Sequence, residues 1–277
     1  MIKAKKEFGQ NFLKDSSVLG KIVQAIPKDA QNIVEIGAGL GDLTRELLKI
    51  SKVRSYEIDR DLEKILTAEF ATELENGRYE LVFGDALEIW QKGSLSEKPY
   101  FLAANLPYYV ATNLILRAID DDNCLGFVVM VQKEVALKFC ASSGSSEFGA
   151  ISVLANLFGR CEFLFEVPRG AFEPPPKVTS AVMRLVKTQF LAENKKFTNL
   201  DEYSEFKGFL RTCFAAPRKT LLNNLSAKFD KNILNNLFAN LQISQTIRSH
   251  ELDFALFLKI FKNLKGENER EQRKQRE

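Results

Sequence analysis

The sequence holds a single histidine, His250, and four cysteines, Cys124, Cys140, Cys161 and Cys213, none of them in a CxxC pair. A zinc site built from His and Cys is therefore not expected, and the thiols read as core residues of a chain kept reduced. Long apolar runs are also missing, and no stretch approaches the ~20 apolar residues that a membrane helix needs. The opening MIKAKKEFGQNF carries charge without an apolar segment, so it does not read as a secretory signal. A cytoplasmic protein with no membrane role is the expectation. Net charge is nearly absent as a total, at +3 over 277 residues, but it is unevenly spread. Residues 1–188 carry 23 basic and 25 acidic side chains, while residues 189–265 carry 12 and 7. The basic excess lies in the C-terminal third, a modest signal for a polyanionic partner.

What is present is a regular alternation. Short β-like runs at Asn32–Ile36, Val53–Ile58, Tyr79–Phe83, Tyr100–Ala104 and Leu125–Val131 are separated by helical spacing over Asp42–Ile50, Asp61–Glu75 and Thr112–Asp120. Such alternation predicts a mostly parallel sheet with helices on both faces. Two further runs, Cys161–Val167 and Val178–Lys187, have only the loop PRGAFEPPPK between them, so they pair antiparallel and end the sheet in a hairpin. Beyond Lys187 the chain turns to Leu, Phe, Asn and Lys at helical spacing. The expected organisation is a Rossmann-like α/β domain over 1–190, a small all-α domain over 200–265 and a disordered charged tail over 266–277.

The first strand runs into VEIGAGLGDLT, residues 34–44, where Gly37, Gly39 and Gly41 let the backbone turn tightly beneath a ligand at the helix start. Glu57 ends the second strand in YEID, where a carboxylate can accept both hydroxyls of a ribose. Asp85 ends the third strand in FGDAL, at the same sheet edge, where it can accept from an adenine amino group or cap the helix that follows. The spacing G-x-G-x-G with Glu35 before it differs from the G-x-G-x-x-G of dinucleotide folds. Together these strand ends point to S-adenosylmethionine rather than a nicotinamide cofactor.

The fourth strand ends in Asn105-Leu106-Pro107-Tyr108. An exocyclic adenine or cytosine amine is a poor nucleophile because its lone pair is delocalised into the ring. Two acceptors, the Asn105 side-chain carbonyl and a Leu106 carbonyl fixed by Pro107, can hold its N–H groups and turn the lone pair toward a methyl donor. Tyr108 offers a face on which an extracted base stacks, worth roughly 1–3 kcal/mol. A plain Asn-Pro turn is the alternative, but it has no need of adjacent tyrosines.

Through FGQNFL, VEIGAGLGDLT, YEID, GDAL, NLPY, FEPPPKVTSAV and FLRTCFAAPRKTLLNNL, in that order, the chain resembles the KsgA family of ribosomal RNA adenine dimethyltransferases. The resemblance implies dimethylation of two adjacent adenines near the 3′ end of small-subunit (16S) rRNA in a 30S precursor, with S-adenosylmethionine as cofactor. It implies that Asn11 and Leu13 lie over the cofactor and that Gly37, with Gly39, belongs to the loop beneath it. Glu57 would hold the ribose, Asp85 the cofactor adenine, and Asn105 would stand between cofactor and target base. Phe172, which by itself in a Pro-rich loop reads more as a loop anchor than as a base platform, matches the family's second stacking aromatic opposite Tyr108, and the resemblance reverses that preference. Tyr109-Val110-Ala111 departs from the Asn and Ile-Ser that relatives often carry, which bears on the shape of the target pocket. Lys3, Lys5, Lys6, Arg211, Arg218 and Lys219 are candidates for phosphate contacts. No self-association surface is evident, so a monomer is the default. The rival readings are a macrolide-resistance methylase of 23S rRNA, a non-catalytic assembly factor with a methyltransferase fold, and a nicotinamide-dependent oxidoreductase.

Overall fold

The seven apolar runs pair into one sheet: β1 (Asn32–Ile36), β2 (Lys52–Glu57), β3 (Tyr79–Phe83), β4 (Tyr100–Asn105), β5 (Cys124–Gln132), β6 (Gly159–Val167) and β7 (Ser180–Lys187). Their order is β3-β2-β1-β4-β5-β7-β6 in the computed structural model. It describes residues 4, 5, 8–193 and 196–274, with backbone alone for 268–274. The first five strands run parallel, and β7 lies antiparallel between β5 and β6. The terminal hairpin is therefore present, with its second strand on the inside. Strands β4 and β5 are buried on both faces, as continuous apolar runs in a parallel sheet require. Chain order reverses between β1 and β4, and at their carboxyl ends this opens the crevice in which α/β sheets bind ligands.

Eight helices accompany the sheet strands: α1 (Ser16–Gln24), α2 (Asp42–Leu47), α3 (Glu63–Glu69), α4 (Ala71–Glu75), α5 (Ala86–Lys92), α6 (Ala111–Asp120), α7 (Lys133–Cys140) and α8 (Ala150–Phe158). The helix expected over Asp61–Glu75 is split at Phe70, whose ring turns inward and is 3% exposed. Helices α1, α7 and α8 lie outside the segments expected from spacing. Helix α1 is marked instead by its cap, since Asp15 Oδ1 accepts from the amides of Ser17 (2.9 Å) and Val18 (3.2 Å). Helix α8, AISVLANLF, is a short and mostly apolar run, which in sequence reads as readily as a buried strand.

By contacts the chain divides into two units. One takes in the chain up to Cys140 with Phe158–Ala192, and the other Ala141–Leu157 with the chain from Glu193 onward. The sequence reading kept 141–157 in the first domain. Within the second unit, however, the Gly144 amide donates to the His250 carbonyl at 2.7 Å and Phe148 meets Phe214 edge-on at 6.2 Å. The rest of that unit is α9 (Leu200–Cys213), α10 (Leu221–Leu225), α11 (Lys231–Asn240) and α12 (Phe254–Lys274). Phe206 centres its core, with the rings of Phe197, Phe209, Phe254 and Phe261 at 5.3–6.4 Å. Residues 266–274, expected as a disordered tail, continue α12 as helical backbone, because a run of Glu, Gln, Lys and Arg has high helix propensity once a packed helix nucleates it.

Among the described residues no helix is long and apolar enough to cross a membrane, and no group of His, Cys, Asp and Glu is arranged to hold a metal ion. All four cysteines are free thiols, with the Cys140 and Cys161 sulfurs 3.0 Å apart.

Candidate active site

A cleft of about 1060 Å³ of open space lies at the carboxyl ends of β1 to β4. It is lined by Asn11, Leu13, Gly37, Gly39, Glu57, Asp85 and Asn105, together with Leu106, Pro107 and Tyr108. The fold thus gathers every candidate cofactor residue, spread over 95 positions of sequence, at one edge of one sheet.

The floor is the glycine loop. The Gly37 amide donates to the Tyr56 carbonyl at 2.8 Å, tying the loop to β2. Gly39 has φ +58°, and a Cβ there would lie 3.2 Å from the Phe12 ring that crosses above it, so only glycine fits without displacing that ring. Two carboxylates brace the loop. Below, Glu35 is fully buried, and its Oε2 accepts from Thr44 Oγ1 (2.6 Å) and Ser55 Oγ (2.5 Å). Burial pushes this carboxyl up to about 7, against the two hydroxyl hydrogen bonds. Above, Glu57 accepts from the Gly39 amide (2.9 Å) on Oε2 and from the Asp59 amide (2.8 Å) on Oε1. Burial also raises Glu57, while these backbone donors favour its charged form. Each oxygen keeps a lone pair with which to accept a ligand hydroxyl.

Asp85 caps the helix that follows it, one of the two roles the sequence allowed. Its Oδ1 accepts from the Leu87 amide at 2.8 Å and caps α5, which leaves Oδ2 for a donor in the cleft. Asn105, the last residue of β4, donates from Nδ2 to the Asn11 carbonyl at 2.9 Å. That bond settles the orientation of the amide and leaves Oδ1 as its accepting end. The Leu106 amide donates to the Met130 carbonyl at 3.1 Å, so the peptide after Asn105 is held by β5. Tyr108 is pinned at its hydroxyl, 2.5 Å from Ser180 Oγ on β7, and burial raises its phenol above the ordinary value.

Two candidates stand apart from the cleft lining. Phe172 is 5% exposed, pairs with the cleft residue Leu13 in the two-residue ladder of Phe12–Leu13 against Phe172–Glu173, and packs in the main core. Burial of the ring beside that ladder gives it an anchoring part in the loop. Lys5 is not a free phosphate ligand, since its Nζ lies 2.5 Å from Asp59 and 2.6 Å from Asp61. The Asp59 hydrogen bond, seconded by that of Asp61, raises its ammonium to about 12. Lys3 and Lys6 fall outside the described residues. Arg211, Arg218 and Lys219 lie in the helical unit, are exposed, and form no ion pair among the described residues.

Sequence reasoning passed over Gln10, Asp59, Thr44, Ser55 and Tyr108's partner Ser180. Gln10 and Asp59 were within the quoted motifs FGQNFL and YEID, so their places were marked, but nothing along the chain indicates that they meet.

A mixed sheet of this order, with a glycine loop after β1, acids closing β2 and β3 and an oriented amide acceptor closing β4, defines a Rossmann-like methyltransferase. A family model described as ribosomal RNA adenine dimethylase matches residues 1–266, and the chain belongs to that family. It is 62% identical to the "Ribosomal RNA small subunit methyltransferase A" of Campylobacter hominis, over 96% of this chain and 98% of that one. Identity to the protein of the same name from Campylobacter jejuni, strain RM1221, is 54%, over 99% of each chain. Among solved structures, a dimethyladenosine transferase from Plasmodium falciparum matches with a TM-score of 0.72 at 29% identity, over 90% of this chain and 95% of that one. The 23S rRNA methyltransferase ErmE shares the fold, with a TM-score of 0.69 at 22% identity over 92% of this chain and 100% of that one.

Proposed function

We propose that the protein transfers methyl groups from S-adenosylmethionine to N6 of two adjacent adenines near the 3′ end of small-subunit rRNA in a 30S precursor. The observation that carries this reading is the Asn105 amide, held by the Asn11 carbonyl with Oδ1 as the accepting end, at the cleft that Glu57 and Asp85 also line. The cleft suits the cofactor: Glu57 would take the ribose hydroxyls and Asp85 the adenine amine, while the Gly37–Gly39 loop with Asn11 and Leu13 would hold the methionine portion. When bound, S-adenosylmethionine supplies a sulfonium methyl with a good leaving group.

The rest is done by the chain's own groups. A target adenine extracted from the RNA stacks on Tyr108, whose ring is fixed through Ser180. Asn105 Oδ1 and the Leu106 carbonyl accept from its amine, so the lone pair turns toward the methyl donor. The acceptors are in place before reaction, and positioning with electrostatic stabilisation supplies the acceleration. No general base is required, because the nitrogen sheds a proton readily once it is a cation. After the first transfer the monomethyl amine rotates and presents its remaining hydrogen to an acceptor. Exposed Arg211, Arg218 and Lys219 supply phosphate contacts from the helical unit.

The test is transfer of labelled methyl to small subunits lacking the modification, with free large-subunit RNA and Asn105→Ala alongside. We expect dimethyladenine in the small-subunit RNA and a loss of at least ~100-fold in rate with Asn105→Ala at unchanged RNA affinity. Near-normal turnover of that variant would overturn the mechanism. Label in large-subunit RNA would reassign the target, and tight subunit binding without any label would reassign the protein to a non-catalytic assembly role.

A further inference from the structure

Glu57 and Asn105 close β2 and β4, and β1 stands between those strands. A second connection joins them above the sheet. The Asp59 amide donates to Glu57 Oε1 at 2.8 Å, and the Asp59 carboxylate accepts from Gln10 Nε2 at 2.8 Å and from Lys5 Nζ at 2.5 Å. Gln10 closes the loop on itself by accepting the Lys5 amide on Oε1 at 2.7 Å, so both ends of its side chain are engaged. The next residue, Asn11, places its carbonyl 2.9 Å from Asn105 Nδ2. Asp59 is 1% exposed although it stands in a loop, and its donors outweigh the upward push of burial, so the carboxylate stays charged.

An Asn amide presents an acceptor or a donor depending on which way it is turned, and the two orientations have opposite chemistry toward an amine. Something must hold Asn105 with Nδ2 outward from the substrate, and the sole hydrogen bond that this nitrogen donates among the described residues goes to the Asn11 carbonyl. That main chain is tied on one side by the ladder of Phe12–Leu13 and on the other by the neighbouring side chain, Gln10, which donates to a buried charged acceptor. We propose that Gln10 and Asp59 are positioning residues for methyl transfer, acting through the Asn11 carbonyl on the orientation of Asn105. The proposal rests on the reading of Asn105 as the acceptor for the target amine. It also joins the two halves of the site, because the same Asp59 whose carboxylate holds Gln10 gives its amide to the ribose carboxylate Glu57.

The experiment compares Gln10→Ala, Asn105→Ala and the double variant in single-turnover methyl transfer to unmodified small subunits at saturating cofactor. Side-chain amide resonances are read alongside, with that of Asn105 assigned by its loss in Asn105→Ala. We expect Gln10→Ala to slow transfer about tenfold, since a misplacement of an ångström at the reacting centre costs up to ~100-fold. In the Asn105→Ala background the same change should alter the rate less than twofold. The Asn105 amide protons should move upfield in Gln10→Ala as their hydrogen bond weakens. The exchange Gln10→Glu with Asp59→Asn, which restores a donor–acceptor pair in reverse, should recover at least threefold of the lost rate. Because Gln10 is partly exposed, its truncation leaves the core intact, and a melting temperature within a few degrees of the parent's accompanies the expected result. An unchanged Asn105 resonance, or an equal loss in both backgrounds, would overturn the proposal. If Asn105→Ala itself turned over normally, the reading of the site would fail instead, and the two failures are thereby told apart.

Discussion

Glu35 shows how a single side chain couples the cofactor loop to pH. It lies at zero exposure, spans from β1 to Thr44 on α2 and Ser55 on β2, and leaves Oε1 without a hydrogen-bond partner among the described residues. Burial, with the nearby charge of Glu57, raises it from an ordinary 4.5 to about 7. A carboxyl raised on folding stabilises the native state most at and below its unfolded value and loses that contribution as pH rises through its folded value. Stability should therefore fall between about pH 4.5 and 7 by an amount on the order of 2–3 kcal/mol from this group. Asp59 and Glu202, which are lowered, act in the opposite sense but only in more acidic solution. Urea unfolding at pH 5 and pH 8 should show the decline in the parent and a flatter profile in Glu35→Gln, whose neutral amide can still accept from both hydroxyls. Equal slopes in the two proteins would mean that Glu35 is ionised throughout.

At the scale of elements, the glycine loop and the broken helix explain one another. Gly41 precedes α2 with φ +83°, and a Cβ on it would come within 2.6 Å of the Phe70 ring. Phe70 is the residue at which α3 gives way to α4, and its ring also meets Tyr79 edge-on at 5.2 Å. The ring at the break fills the space that a side chain at position 41 would have taken. Gly41→Ala should cost about 2–4 kcal/mol through strain at positive φ and overpacking, and should weaken cofactor binding by tilting the loop. Denaturant unfolding with calorimetric titration of S-adenosylmethionine would measure both. A loss under 0.5 kcal/mol would show that the loop yields freely. From sequence, the need for glycine at 37, 39 and 41 was visible and the reason at 41 was not, because Phe70 lies 29 positions away and reads as part of a continuous helical period.

At the scale of the whole molecule, charge and chemistry are carried by different stretches of chain. The cleft residues all fall in the unit that ends at Ala192, while the basic excess belongs to residues 189–265. Replacing Arg211, Arg218 and Lys219 by Gln should flatten the dependence of log affinity for RNA on log salt by about 0.7–0.9 per lost contact, with cofactor affinity unaltered. An unchanged slope would remove these three side chains from the RNA interface.

The alternation of strands and helices, the glycine loop, the acids at the ends of β2 and β3 and the NLPY turn were all determined by the sequence, because each is a local pattern: a period, a turn, or a residue type at a strand end. So was the kinship they imply. Tertiary structure alone decided which side chains were already engaged. It turned Phe172 into the core, joined Lys5 and Gln10 to Asp59, gave Asn105 its orientation through Asn11, and grouped residues 141–157 with the C-terminal helices. These are contacts between residues far apart in the chain, 94 positions for Asn105 and Asn11 and 159 for Phe172 and Leu13, and hydrogen bonding and burial choose among such partners only after the chain has closed upon itself.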